Sequence, residues 1–257
     1  VSRTPFVHVE HLPEDGEVVL AQDRLHHLRR VLRLDDGAAI VVSDGRGRRA
    51  DARLAGDGAT IAGSVVVEPR VRPELVLAQA IPKRRGFDEA VRFAVEAGVD
   101  RVVPLLTARG QVRPDAAGGR SLVERALAVA EAAAGQAVRA WVPTVEGPVD
   151  LGGLLAAIGA DDLVLVGVPG GPGPLAAVPG PGAALGRVIV VVGPEGGLTD
   201  DELDLLEVSG ARRLGLGSTV LRSEHAGGTL AAVVAARLGR LEVGATPDPV
   251  SADRSAG

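Results

Sequence analysis

The stretch Val190-Val-Val-Gly-Pro-Glu-Gly-Gly-Leu-Thr-Asp-Asp-Glu202 decides how this chain is read. An apolar run ends in a glycine-bearing turn, and a helix follows, with Thr199 and Glu202 spaced as a capping box. That is a buried strand feeding a helix, the unit of a parallel sheet covered on both faces. Glycines in the turn let a ligand approach the backbone closely. The turn is not a phosphate loop, because G-x-x-x-x-G-K and G-x-G-x-x-G are both absent. Glu195, Asp200, Asp201 and Glu202 would also repel phosphate from a helix N-terminus that otherwise attracts anions. A neutral or cationic ligand suits the turn better. Taken alone, the segment also reads as a strand-to-helix turn with glycine for geometry.

A second segment repeats the theme: Leu214-Gly-Leu-Gly-Ser-Thr-Val-Leu-Arg-Ser-Glu-His-Ala-Gly-Gly228. A short strand runs into a polar loop and then a helix. Arg222 and Glu224 bracket the helix start, and Ser223 is a candidate cap. Small residues at Ala226, Gly227 and Gly228 allow close helix packing or a ligand lying against the helix. An ordinary capped helix with an Arg–Glu pair is the plainer alternative. Two glycine-bearing loops after two neighbouring strands favour a ligand site, since ligands of open α/β sheets sit outside the carboxyl ends of the strands.

Working outward, strands are expected at Leu75–Ala80, Arg101–Leu106, Leu163–Val168, Val188–Val192 and Arg213–Leu216. Helices are expected at Gly86–Ala97, Arg120–Ala137, Leu151–Ile158, Asp200–Ser209 and Glu224–Gly239. This alternation predicts an α/β domain over residues 73–241. The first 72 residues read as β-rich, with strands such as Glu17–Ala21, Ala38–Ser43 and Thr60–Val67, Asp-Gly turns and one helix over Asp23–Arg33. Regular short strands with such turns predict a small β-barrel. The Pro/Arg-containing junction Val67–Pro73 marks the boundary. Pro169–Gly186 reads as a flexible Pro/Gly-rich surface loop, and residues 242–257 as a disordered polar tail.

Composition excludes several function classes. The absence of Cys rules out disulfides, thiolate metal sites and Cys nucleophiles. One Trp, three Phe and no Tyr leave too few rings for a single-strand stacking platform. The net charge of -5 argues against a simple nucleic-acid coat. Yet Arg24–Arg53 carries eight Arg against four Asp, so a basic patch is expected on an acidic protein, with a solvated charged surface as the alternative. No signal-like start and no membrane-length apolar run is found, which predicts a soluble cytoplasmic protein. Met is missing even at position 1, which predicts a processed, truncated or non-standard start.

Gly193-Pro-Glu-Gly-Gly197 and Leu216-Gly-x-x-x-Leu-Arg-Ser-Glu-x-Ala226 together resemble the ribosomal RNA small-subunit methyltransferase E family, which are SPOUT-type enzymes. The resemblance extends to His26-His-Leu-Arg-Arg-Val-Leu-Arg33, to Pro82-Lys83 with Phe87-Asp-Glu and Glu96-Ala-Gly-Val-Asp-Arg-Val-Val-Pro104, and to Gln136-Ala-Val-Arg139 before Pro143. The chain departs from the family pattern at Gly135, Ser218, Thr219 and His225.

The resemblance implies a PUA-like barrel followed by an α/β domain with a C-terminal trefoil knot. It implies a homodimer with no metal and no membrane contact. The implied reaction is S-adenosylmethionine-dependent methylation of N3 of one uridine in the decoding region of 16S rRNA, on the assembled small subunit. The cofactor cradle it implies comprises Leu165, Val166, Gly167, Gly193, Pro194, Glu195, Gly196, Gly197, Leu216, Gly217, Ser218, Val220, Leu221 and Ala226. Arg222 is expected to stabilise the uracil anion with Glu224 orienting it, and Glu195 to act as base or loop-fixing carboxylate. RNA phosphates are assigned to Arg29, Arg30, Arg33, Arg46, Arg48, Arg49, Lys83 and Arg84. His26 and His27 either pack in the barrel or stack on a base. Rival readings are a nucleotide-using α/β enzyme and a non-catalytic RNA-binding protein retaining the fold.

Overall fold

A computed structural model describes residues 4–83 and 86–241. The chain opens with β1 (Phe6–His8), β2 (Glu17–Val19) and α1 (Gln22–His26), and α1 runs on as a π-helical turn over His27–Val31. Then follow β3 (Ala39–Ser43), β4 (Arg48–Ala55), β5 (Gly58–Ile61) and β6 (Val66–Val67). These strands form one sheet in the order β1-β3-β4-β5-β2, with β6 on β4. Only the β1–β3 pairing is parallel. The sheet encloses its own core, built from Val7, Leu12, Val18, Leu28, Ile40, Val42 and Leu54 among others.

β4 alternates with period two: Ala50, Ala52 and Leu54 are buried while Asp51, Arg53 and Ala55 are exposed. It is the longest strand of this sheet, yet its inward positions are mostly alanine and its outward ones charged, so it carries little β signal. The expected single strand Thr60–Val67 is two strands. The chain leaves the ladder after Ile61, and Val66 rejoins β4 opposite Arg49. The expected helix Asp23–Arg33 is α-helical only to His26, and Arg33 ends the π turn at φ 55.

The second part contains β7 (Glu74–Ala80), α2 (Gly86–Glu96), β8 (Arg101–Leu106), α3 (Ala116–Gln136), β9 (Thr144–Val145), β10 (Val149–Asp150), α4 (Leu151–Ala156), β11 (Leu163–Gly167), α5 (Pro174–Ala177), β12 (Arg187–Val192), α6 (Asp200–Val208), β13 (Arg212–Leu214) and α7 (Ser223–Arg237). Its sheet is parallel throughout, in the order β10-β8-β7-β12-β11-β13 with β9 on β8. Strand alternation divides the core in two. Leu75, Leu77, Leu163, Leu165, Val188 and Val190 pack with α2, α3 and α7. Their neighbours Val76, Ala78, Val164, Val166, Ile189 and Val191 pack with α4 and α6. Burial on both faces is why these strands read as continuous apolar runs. α2 buries Phe87, Ala90, Val91, Ala94 and Val95, a stripe at helical spacing.

The Pro/Gly-rich segment expected to be a flexible surface loop is largely exposed but anchored at one point. It contains α5, and Ala177 and Val178 are buried in the core that α7 shares. Gly171 packs against Gly215, while Gly170, Gly173 and Gly182 face open space. The expected tail over residues 242–257 lies outside the described residues.

The segment Arg139–Val142 joins the two sheets. Its backbone exchanges bonds with the β3–β4 turn, Gly47 N–H donating to Ala140 O at 2.9 Å and Val142 N–H to Gly45 O at 2.9 Å. Trp141 Nε1 donates to Glu68 O at 2.8 Å, and Arg70 lies 4.0 Å from its ring centroid. Gly47 is required here, because a Cβ would sit 2.3 Å from the indole and its φ is +94. His8 Nε2 donates to Arg139 O at 2.9 Å. Burial pulls the His8 pKa below its ordinary value of 6.5, against opposing hydrogen bonds to the Arg139 and Glu131 backbones.

The linkage sign follows from that depression. Below about pH 6.5 the unfolded chain binds a proton at His8 that the folded chain resists, so this stabilisation is full above that pH and is lost as pH falls through the folded pKa. Urea midpoints measured at about pH 7.5 and about pH 5.5 should fall by more in the wild type than in His8→Gln. Equal losses would show that His8 does not contribute to the acid sensitivity.

Candidate cofactor cavity and active site

Three parallel strands end side by side, and the cavity lies at their carboxyl ends. After β12, Gly193 turns the chain so tightly that a Cβ there would meet Leu198 N at 3.0 Å. Gly197 adopts φ +70 and donates to Pro194 O at 2.8 Å, closing the turn. Thr199 then caps α6 with the capping box read from the sequence. After β11, the chain crosses the segment that follows β13. Gly215 N–H donates to Pro172 O at 2.8 Å, and a Cβ on Gly215 would sit 2.5 Å from Gly171 O.

These turns and the start of α7 enclose a cavity of about 250 Å³. Its wall includes nine of the expected cradle residues: Gly167, Gly193, Pro194, Glu195, Gly197, Leu216, Val220, Leu221 and Ala226. Leu165 and Val166 are fully buried within β11 and do not reach the wall, which starts at Gly167 where the strand ends. Gly196, Gly217 and Ser218 are exposed and also lie off the wall.

The sequence reading missed Val168, Pro169 and Val192 at the strand ends. It missed Leu198, Leu203, Leu214 and Leu230, which give the cavity its apolar body, and Gly215, Thr219 and Ser223. The leucines sit at core spacing, so nothing in the sequence separates them from ordinary core residues. Among the described residues, Glu195 is the only ionisable side chain on the wall. The cavity therefore suits an apolar ring with neutral or cationic attachments rather than a phosphate chain.

Ser223 is not the cap of α7. Arg222 occupies the N-cap position with no side-chain cap bond, and Ser223 is the first helical residue, buried 3.5 Å from Gln79 Nε2. Ser223, Ala226 and Leu230 share the helix face on the cavity, as spacings of three and four require. Gly227 and Gly228 serve packing: a Cβ on either would come within 2.6 Å of Gln79 Oε1 or Phe93 Cβ.

The three expected catalytic residues are placed differently from one another. Glu195 Oε1 accepts the Lys83 backbone N–H at 3.0 Å. Partial burial opposes ionisation of Glu195, but that hydrogen bond, one from its own amide and the Lys83 charge prevail, so its pKa lies below the ordinary value. A carboxylate held in that state is a weak proton acceptor. Arg222 is exposed beside the wall residues Leu221 and Ser223.

Glu224 lies off the cavity, about 100° around the helix from Ser223. Its Cβ is 3.8 Å from where a Gly86 Cβ would be, and its carboxylate groups with Glu89 and His225 within 4.8 Å. No Arg222–Glu224 ion pair forms among the described residues. His225 Nε2 bonds Glu89 Oε1 at 3.1 Å, and its ring meets Phe93 edge-on at 4.9 Å. Three ligating atoms stand close there, but a cation would face the positive end of the α7 dipole.

The expected RNA-contacting arginines split into two groups. Arg29 bonds Asp36 and the Leu34 and Gly56 carbonyls, Arg48 bonds Glu14 and Leu12 O, and Arg49 bonds Glu68. Arg30, Arg33 and Arg46 are exposed. Lys83 stands beside Glu195, while Arg84 lies outside the described residues. His26 and His27 are exposed rather than packed in the barrel core.

Residues 69–235 match the RNA methyltransferase domain family, and residues 20–61 match the RNA methyltransferase PUA domain. The ribosomal RNA small subunit methyltransferase E of Mycobacterium bovis is 34% identical over 230 residues, covering 85% of this chain and 86% of that protein. The chain belongs to the ribosomal RNA small subunit methyltransferase E family. The Synechocystis member is 32% identical over 81% of this chain and 69% of its own length. A Legionella pneumophila methyltransferase, solved with its bound cofactor SAM, superposes with a TM-score of 0.79 at 27% identity, covering 91% of this chain and 98% of its own. The family's fold, a PUA domain ahead of an α/β domain, is the one found here.

Because Gly215 has no room for a side chain, Gly215→Ala should lower stability by about 2 kcal/mol or more, as overpacking against rigid backbone does. Urea denaturation measures this, and an unchanged midpoint would mean that the crossing yields easily.

Proposed function

We propose that this chain transfers the methyl group of S-adenosylmethionine to N3 of one uridine in 16S rRNA of the small ribosomal subunit. The observation that carries the reading is the apolar cavity at the carboxyl ends of β11, β12 and β13, in a chain of this family. The glycine turns supply backbone groups for the cofactor's polar edges, and the leucines an apolar slot for its ring. When bound, the cofactor supplies an electrophilic methyl group. The division of labour follows the two sheets, with residues 1–72 positioning RNA and residues 73–241 holding the cavity. The close crossing of Gly171 and Gly215 supports the knotted threading of this family.

Methyl transfer to N3 requires loss of the N3 proton and stabilisation of the uracil anion. Arg222 is a cation at the cavity edge, and its fixed charge acts on that anion. Glu195 holds the Lys83 segment against the turn. Glu224 supports the start of α7 against α2 rather than touching the cofactor. Arg30, Arg33 and Arg46, with Lys83 nearer the cavity, are the cations offered to RNA phosphates. Assembly as a homodimer is part of the same reading and rests on the family resemblance. No described helix is long and apolar enough to cross a membrane. Action on ribosomal subunits places the protein in the cytoplasm.

Labelled methyl transfer to small subunits from a strain lacking this protein tests the reading, with N3-methyluridine as the expected product. Absence of label on 16S rRNA would overturn it, and label on another atom would correct the acceptor. Arg222→Ala should lower kcat by about 100-fold, typical for loss of one electrostatic donor, with cofactor affinity little changed. Gly197→Val, at positive φ, should weaken cofactor binding in calorimetric titration.

A further inference from the structure

The loop after β8 lies against the outer side of the cofactor turn. Arg109 Nη1 donates to two carbonyl oxygens of that turn, Gly196 O and Leu198 O, each at 3.0 Å. The stem of Arg109 covers the glycine, since a Cβ on Gly196 would lie 3.6 Å from Arg109 Cδ. One residue earlier, Ala108 N–H donates to Glu202 Oε1 at 2.7 Å. The other oxygen of this buried carboxylate accepts Thr199 N–H at 2.9 Å. The turn between β12 and α6 is thus held twice from outside, by a guanidinium on its carbonyls and by a carboxylate at its exit.

We propose that Arg109 is a positioning residue for the cofactor, clamping the Gly196 and Leu198 carbonyls so that the Gly193–Leu198 turn presents its inner face to the cavity in a fixed shape. A peptide group is planar, so fixing the direction of a carbonyl also fixes the N–H of the next residue. With the Gly196 carbonyl held outward, the Gly197 N–H is left facing Pro194 O, the bond that closes the turn. With the Leu198 carbonyl held outward, the Thr199 N–H is left facing Glu202. Gly196 and Gly197 would otherwise have the widest backbone freedom available to any residue. A ligand entering an unclamped turn would have to order it on binding, and that cost appears directly as lost affinity. Glu195 and Gly197 line the cavity while Gly196 meets Arg109, so the turn has one face for the ligand and one for the clamp.

The inference rests on the cofactor reading above, and its test keeps the two apart. Calorimetric titration of S-adenosylmethionine is run on the wild type, R109A, R109Q and R109K, each with a thermal melt and with kcat at saturating cofactor. R109A should bind about 10-fold more weakly, as expected for losing two charge-assisted hydrogen bonds. Its kcat at saturation should stay within about 3-fold of wild type, because the ordering cost is met once the site is filled. R109K should recover part of the affinity. R125A, which removes an exposed pair with Asp88, should bind as the wild type does. Wild-type affinity in folded R109A overturns the inference. Should R109A not fold, wild-type affinity in R109Q, which is uncharged and shorter, overturns it equally. A wild type that binds no S-adenosylmethionine overturns the cofactor reading and this inference with it.

Discussion

The close passage of two backbones at Gly171 and Gly215 is the constraint on which the cavity depends. A single methyl group on Gly215 would be 2.5 Å from Gly171 O. The approach lets the segment after β11 lie across the segment after β13, so that both reach the cavity beside the turn after β12. Gly167 repeats the demand one layer below, where a Cβ would strike Leu230 of α7 at 2.7 Å. Close-packed interiors do not stretch to admit an extra carbon. Gly167 therefore lets α7 settle with Leu230 over the end of β11.

Charge is distributed so that the cavity and the basic N-terminal stretch do not compete. Among the described residues the wall carries one ionisable side chain, Glu195, whose carboxylate is held ionised by a backbone amide. Several arginines of the basic N-terminal stretch are spent within the fold. Arg29 gathers Asp36 and two carbonyls, and Arg48 and Arg49 each take a glutamate. The exposed ones, Arg30, Arg33 and Arg46, lie on the α1 extension and the β3–β4 turn. A chain with net charge -5 thus still keeps exposed cations in its N-terminal part.

Much of the architecture was legible because its signals are local. The run Val188–Val192, the Gly-Pro-Glu-Gly-Gly turn and the Thr199/Glu202 box each reduce to a backbone requirement at one place, and each stands as read. β9 and β10, two residues each, are too short to show a period, and β4 is masked by alanine and arginine. In Pro169–Gly186 the short helix α5 and the buried pair Ala177 and Val178 went unread, because proline and glycine signal turns and only tertiary contacts show what anchors them. At the site, glycines could be read but leucines could not. The contacts of Arg109 span 87 and 89 residues, and no pattern in the sequence marks a side chain whose partners are distant carbonyls. The Arg222–Glu224 pairing failed for a geometric reason, since α7 turns Glu224 toward α2.

The seam at Trp141 has a further consequence. It is the chain's one tryptophan, and it sits where the N-terminal sheet meets the α/β part, its indole N–H held by Glu68 O and its face covered by Arg70. Any parting of the two halves would wet that ring and strip away its cation before either sheet lost a strand. The protein therefore carries an intrinsic optical gauge of its own joint: ultraviolet emission follows the docking of the halves, while far-ultraviolet dichroism follows the strands and helices within them.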